Sequence, residues 1–270
     1  MRRALLVAAS LLALVGCQTV QTTKPGAVGV DRKQSMMLSS AEVDASAAKA
    51  YQEVLADAKK KGTLDRDPAQ VERVRRVAHR LIPQTAAFRS DAPGWDWEVN
   101  VISTKELNAW CMPGGKIVVY TGLIEQLKLT DDELAAIMGH EIAHALREHG
   151  RERASEAMAE GLALSILGAL TGLSQGGMDL SQLVLNVTLT LPNSRQHETE
   201  ADRIGVELAA RAGYDPRAAV EVWEKMAKQA NGAPPQILST HPAPESRIAD
   251  LKVYSARVMP LYEEAQSKAR

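Results

Sequence analysis

The feature that most constrains this chain is the run His140-Glu141-Ile142-Ala143-His144. Residues four apart on an α-helix are offset by about 40° and carry Cβ atoms about 5–6 Å apart, so both imidazoles can converge on one ion. Zinc, with bonds of roughly 2.0–2.1 Å to imidazole, suits such a pair. Glu141 lies about 100° further round, beside the ion rather than under it, where its carboxylate can take a proton from an attacking water. The neighbourhood specifies a helix: Thr130-Asp131-Asp132-Glu133 is a capping box, opening a helix that runs through about His149.

A catalytic zinc needs a third protein ligand and one open position. In the later stretch from Ser194 to Asp202, Glu198 and Asp202 share one helix face. Glu198 can complete the ligand set, and Asp202, one turn on, can accept the free N–H of His140 and fix its tautomer. Glu200 could replace Glu198, but its next helix-face partner is Ile204, which offers no such support. His149, five residues beyond His144, falls off the metal-facing stripe and is read as structural; His79 and His197 have no partner pattern. One zinc ion per chain is the expected cofactor, held by His140, His144 and Glu198, with Glu141 as general base.

The rest of the chain reads as one α+β, mainly helical domain over residues 41–270. Helices are expected over 40–61 with Gly62 as the stop, from Asp67-Pro68 with a stripe of Val71, Val74, Ala78 and Leu81, over 194–212 with Gly213 after it, and from Asp215-Pro216 onward. A last helical region begins after Pro242 and Pro244 and is interrupted at Pro260. Residues 97–103 alternate like a half-buried strand, 116–121 form a β-branched run, and the two are expected to pair antiparallel around Pro113-Gly114-Gly115. Two apolar helical stretches near 154–173 and 179–191 flank a glycine-rich turn; they read as core helices, or as a lid or membrane-contacting surface. Composition excludes one class of partner: 32 Lys+Arg against 33 Asp+Glu leaves no basic excess for nucleic acid.

The amino terminus reads as an address. Met1-Arg2-Arg3 is a cationic start, and residues 4–15 are an apolar run too short to span a bilayer but suited to a signal peptide. Leu14-Val15-Gly16-Cys17 resembles a bacterial lipobox, which makes 1–16 a lipoprotein signal peptide, Cys17 the lipidated residue and 17–40 a flexible tether; an ordinary secretory signal is the alternative. Gln18 after that cysteine points to the outer membrane. Cys111 is then left without a partner in the chain and reads as a free, buried thiol.

His-Glu-Ile-Ala-His followed by Glu198-Thr-Glu-Ala-Asp202-Arg-Ile-Gly resembles the gluzincin metallopeptidase family of the periplasmic LoiP and BepA proteases, with HtpX and the CAAX prenyl protease as relatives. The resemblance extends over most of residues 70–255 and is nearest to the LoiP-like lipoproteins. It takes in Asn108 to Gly122, a strand–turn–strand before the zinc helix, and Ser239-Thr240-His241-Pro242 with Arg247 after it. The resemblance implies a zincin-like metalloprotease domain with a small antiparallel sheet. It also implies that Lys116, Ile117, Val118, Val119 and Tyr120, as the substrate strand, lie near an edge strand above the zinc with which an extended peptide pairs, and that His241 approaches the zinc as blocking ligand or oxyanion donor. A histidine capping the turn before Pro242 is the plainer reading of His241. The implied activity is endopeptidase action on misfolded or misassembled envelope proteins from the periplasmic face of the outer membrane, beside outer-membrane assembly factors. A chaperone-like or binding lipoprotein with a closed zinc site is the alternative.

Overall fold

The computed structural model describes residues 18–171, 179–229, 236–241 and 245–268. The lipobox, the glycine-rich turn at 172–177, Pro242 and Pro244 lie outside the described residues. A short antiparallel pair, β1 (Gln18–Val20) and β2 (Gln34–Met36), comes first. Next come α1 (Ser40–Lys60) and α2 (Pro68–Leu81), then β3 (Glu98–Ile102), β4 (Ala109–Met112) and β5 (Lys116–Tyr120). The helices α3 (Thr121–Gln126), α4 (Asp131–Leu146), α5 (His149–Thr171), α6 (Leu180–Leu189) and α7 (Arg195–Arg211) follow. The chain continues through α8 (Ala218–Gln229), α9 (Gln236–Thr240) and α10 (Glu245–Lys268). The architecture is thus α+β and mainly helical, and no described helix is long and apolar enough to cross a membrane.

Local chemistry sets most helix boundaries. Ser39 with Glu42, and Thr130 with Glu133, form capping boxes; Asp67 and Ser194 cap α2 and α7 through their side chains. Gly62 and Gly213 take the left-handed φ values of +64° and +74° that end a helix. Two boundaries differ from the sequence reading. α4 stops at Leu146, because Arg147 closes it and Glu148 adopts φ +51°, and a new helix begins at His149. α10 runs unbroken through Pro260, whose missing N–H costs the helix one hydrogen bond without ending it.

The strand pairing also differs. β3 and β5 pair in parallel, and β4 pairs antiparallel with β5, giving the order β3-β5-β4. Pro113-Gly114-Gly115 does turn the chain, with φ of +76° and +84° at the glycines, but it joins β4 to β5 rather than β3 to β5. Sheet alternation then divides the core. Trp110, Met112 and Val118 face α1 and α6 with Tyr51 and Val184, while Ala109, Cys111, Ile117 and Val119 join the main core with α2, α4, α7 and α8.

The segment read as a flexible tether is folded onto the domain from Gln18 onward. Val28 and Val30 are core residues, and the Val28 N–H donates to Glu207 at 3.0 Å. Thr22, Gln34 and the Arg32 carbonyl surround the wholly buried Arg147 guanidinium or its backbone carbonyl at 2.7–3.3 Å. Polar side chains can be buried here because each meets a partner.

The centre of the domain is the crossing of α4 and α7. A Cβ at Gly139 would lie 2.8 Å from the Gly205 carbonyl oxygen, and one at Gly205 would lie 2.8 Å from the His140 nitrogen. The two backbones touch, and neither helix has room to yield. Gly205→Ala is therefore expected to destabilise the metal-free protein by about 1–3 kcal/mol in urea unfolding. That loss runs against the gain of about 1 kcal/mol that the same change gives in an open helix.

Candidate metal centre

Every residue of α4 from Glu133 to Leu146 is buried, so His140, Glu141 and His144 are held by packing on all sides. α7 brings Glu198 and Asp202 to the same place, and His241, just after α9, enters from the third side. His140 Nε2 lies 3.1 Å from His144 Nε2 and 3.5 Å from Glu198 Oε2; His144 Nε2 lies 3.4 Å from Glu198 Oε1. His241 Nδ1 stands 2.9 Å from Glu198 Oε1 and 3.2 Å from His140 Nε2. Zinc–donor bonds of roughly 2.0–2.1 Å make a tetrahedron with edges of about 3.3 Å. His140 and His144 stand close to that edge from each other, and each stands close to it from one oxygen of Glu198, Oε2 and Oε1 respectively.

The chemistry of the donors fits a cation as well as their spacing does. Asp202 Oδ1 lies 3.0 Å from His140 Nδ1, the pairing expected from the helix face, and it holds the proton of that ring on Nδ1. His140 Nε2 is then a bare lone pair aimed at another imidazole nitrogen and a carboxylate. Such acceptors share a buried point only around positive charge. Burial opposes a proton on this ring, but Asp202 and Glu198 together push the His140 pKa up to about 10. Burial, with the positive His140 beside it, holds His144 well below the ordinary histidine range. The Glu198 carboxyl is also driven far down, since His241, His140 and His144 outweigh its burial.

Glu141 stands apart from this cluster. Its carboxyl is buried, which raises its pKa, and its Oε1 accepts no hydrogen bond among the described residues; the nearest basic atom is His241 Nε2 at 3.6 Å. It lines a cavity shared with Cys111, Pro113, His144, Val187, Asn193 and His241. A buried carboxylate oxygen that accepts no hydrogen bond among the described residues, on a residue lining a cavity beside the donor cluster, is placed to accept a proton from whatever enters.

Three other sequence-derived positions are settled by geometry. Glu200 is not at the cluster; it turns away to Arg147, His149 and Arg32. His241 is buried among the donors rather than merely capping a turn. Lys116, Ile117, Val118, Val119 and Tyr120 form the central strand, paired on both sides, and Lys116 is engaged by Asp96 and Glu98. They offer no free edge. The edge bordering the cavity belongs to β4: Tyr120 donates to the Asn108 carbonyl, so the alternation of the ladder turns the Cys111 N–H and C=O away from β5. Cys17 lies outside the described residues.

Two groups escaped the sequence reading. Arg247, buried over the Trp223 ring at 4.0 Å, bridges Glu198 at 2.6 Å and Asp202 at 2.7 Å. Its place after His241 was visible, but nothing local announced that it turns inward. His149 lies 2.8 Å from His144 through their Nδ1 atoms, and it stacks on His197, which is also buried and 3.1 Å from Glu152. Reading His149 as structural and His197 as without a partner missed a network that only the tertiary fold assembles.

The pattern of peptidase family M48 matches residues 68–255. The chain is 40% identical over 187 residues to the mitochondrial metalloendopeptidase OMA1 of Arabidopsis thaliana, covering 67% of this chain and 36% of the relative. It is 34% identical over 180 residues to the protein of the same name from Saccharomyces cerevisiae, covering 64% and 51%. It is 30% identical over 205 residues to the beta-barrel assembly-enhancing protease of Escherichia coli, covering 72% and 41%. The chain therefore spans between about a third and a half of these relatives' lengths.

Removal of Arg247 would strand two buried carboxylates. Arg247→Leu is expected to lower the stability of the chelator-treated protein by roughly 3–5 kcal/mol, measured by urea unfolding against the parent chain. A loss below 1 kcal/mol would mean that Glu198 and Asp202 find their compensation elsewhere.

Proposed function

The chain belongs to peptidase family M48, and on that premise we propose that it is a zinc-dependent endopeptidase whose metal is held by His140, His144 and Glu198. The observation that carries the reading is the set of tetrahedral-edge separations among those donors, with the unpaired carboxylate of Glu141 beside them. When bound, zinc supplies Lewis acidity at the scissile carbonyl and its attacking water. Glu141 accepts the proton of that water and returns it to the leaving amine, and the buried site that raises its pKa suits a group that must both take and give a proton. Asp202 keeps His140 in the tautomer that offers Nε2 to the metal. Arg247 holds Glu198 and Asp202 in place.

Substrate is read as an extended peptide pairing with the outer edge of β4 at Cys111, in place of the β5 residues suggested by resemblance. Main-chain pairing leaves sequence preference loose, as degradation of unfolded chains requires. The substrates we assign are misfolded or misassembled envelope proteins. Support comes from the Leu14-Val15-Gly16-Cys17 lipobox and from similarity to a protease named for beta-barrel assembly. Lipidation at Cys17 would hold the protein on the outer membrane facing the periplasm, in reach of assembly factors. Two of the similar proteins are named as mitochondrial, which is another compartment.

A second reading concerns resting state rather than chemistry. His241 Nδ1 sits inside the donor set, where a fourth protein ligand would close the position that substrate needs. The chain in this conformation is then a latent enzyme, and a permanently closed site would make it the chaperone-like binding lipoprotein.

Two variants separate these readings. Glu141→Gln is expected to retain stoichiometric zinc and lose casein cleavage by at least about 100-fold, the lower end of a general base's contribution; undiminished proteolysis would exclude Glu141 from the role. His241→Ala is expected to raise casein turnover if His241 gates the site. A fall in turnover with zinc retained would assign His241 to stabilising the tetrahedral intermediate.

A further inference from the structure

His149 is five residues beyond His144, and in a straight helix it would sit about 140° round from it. The break between α4 and α5 removes that separation. Arg147 donates to the Ala143 carbonyl at 2.9 Å to close α4, Glu148 takes φ +51°, and the chain turns back so that the two rings meet with centroids 4.9 Å apart. His149 Nδ1 then lies 2.8 Å from His144 Nδ1, and His149 Nε2 lies 3.2 Å from Glu200 Oε2. All three residues are buried.

Proton placement along this chain follows from one condition, the reading of His144 as a metal ligand. If His144 Nε2 offers its lone pair to the metal, His144 Nδ1 carries the proton and donates it to His149 Nδ1. The single proton of a neutral His149 must then be on Nε2, where it is donated to Glu200. The reverse arrangement would leave a bare His149 Nε2 against a carboxylate oxygen and put the His144 proton among the metal donors. Glu200 is itself fixed: Arg147 reaches its Oε2 at 2.9 Å and Arg32 its Oε1 at 2.5 Å.

We propose that His149 and Glu200 are the positioning pair for His144, a carboxylate–imidazole–imidazole chain that does for this ligand what Asp202 does directly for His140. Both metal-binding imidazoles of α4 are then oriented by carboxylates of α7, one in contact and one through an intervening ring. Arg32 extends the chain to the amino-terminal segment, which makes that segment part of the support of the metal centre.

The test reads metal affinity in the full-length chain, by competition with a chromophoric zinc chelator, alongside thermal unfolding of the chelated protein. His149→Ala is expected to weaken zinc binding about 10- to 100-fold. Glu200→Gln, which keeps a carbonyl to accept from His149, is expected to weaken it less. Zinc affinity equal to that of the parent chain in both variants overturns the proposal. Should either variant fail to fold, the parent chain still decides: two-bond proton–nitrogen correlation spectra of the zinc-loaded protein are expected to show His144 protonated only at Nδ1 and His149 only at Nε2. A proton on His149 Nδ1 overturns the positioning chain while leaving the zinc site intact. Failure of the parent chain to bind zinc at all removes the ligand assignment, and this proposal with it.

Discussion

The contact between the backbones of α4 and α7 at Gly139 and Gly205 is the constraint on which the centre rests. His140 is the next residue after Gly139, and Glu198, Asp202 and Gly205 fall on one stripe of α7 at intervals of four and three. The distance from imidazole to carboxylate is therefore set by main chain against main chain, not by side-chain rotamers that could relax. Metal–donor distances tolerate only about ±0.2 Å. A helix pair already in backbone contact, unable to approach more closely, sets that distance before any ion binds.

Around the crossing, charge is buried in alternating layers. Glu198 and Asp202 are neutralised by Arg247 and His140; further out, Arg147 and Arg32 neutralise Glu200, and Arg32 also reaches Glu152. Such groups are costly to take out of water, and an apolar interior of the same volume would often be as stable. What they provide is direction. Each ligand-side atom has a partner behind it, so the donors point at one another although they repel.

How much of this could be read in advance depended on whether the signal was local. The His140–His144 spacing, the Glu198–Asp202 face and the caps at Thr130, Ser194 and Asp67 are all expressed within a few residues, and the structure has them. No local periodicity marks β4, because Ala109, Trp110, Cys111 and Met112 are buried on both faces and show no alternation; only the resemblance, with its strand–turn–strand over Asn108 to Gly122, placed a strand there. The parallel pairing of β3 with β5 has no local mark either, so residues 97–103 and 116–121 read as an antiparallel pair. Residues 18–36 looked like a tether since Thr22, Arg32 and Gln34 are polar. Their partners Arg147, Glu152 and Glu200 lie more than a hundred residues away, beyond the reach of any local pattern. The return of His149 to His144 depends on a left-handed glutamate, a conformation that nothing in Arg147-Glu148 advertises.

The outer edge of β4 has a consequence for discrimination between healthy and damaged proteins. The Cys111 N–H and C=O can be matched only by a segment with unsatisfied main-chain groups of its own, and in a native fold nearly all such groups are already committed. For a partner that docks in this way, no recognition code is needed to spare intact neighbours. Under the proposed docking, susceptibility would follow how often the partner opens, so that the thermodynamics of the victim, rather than the shape of the hydrolase, would select what is destroyed.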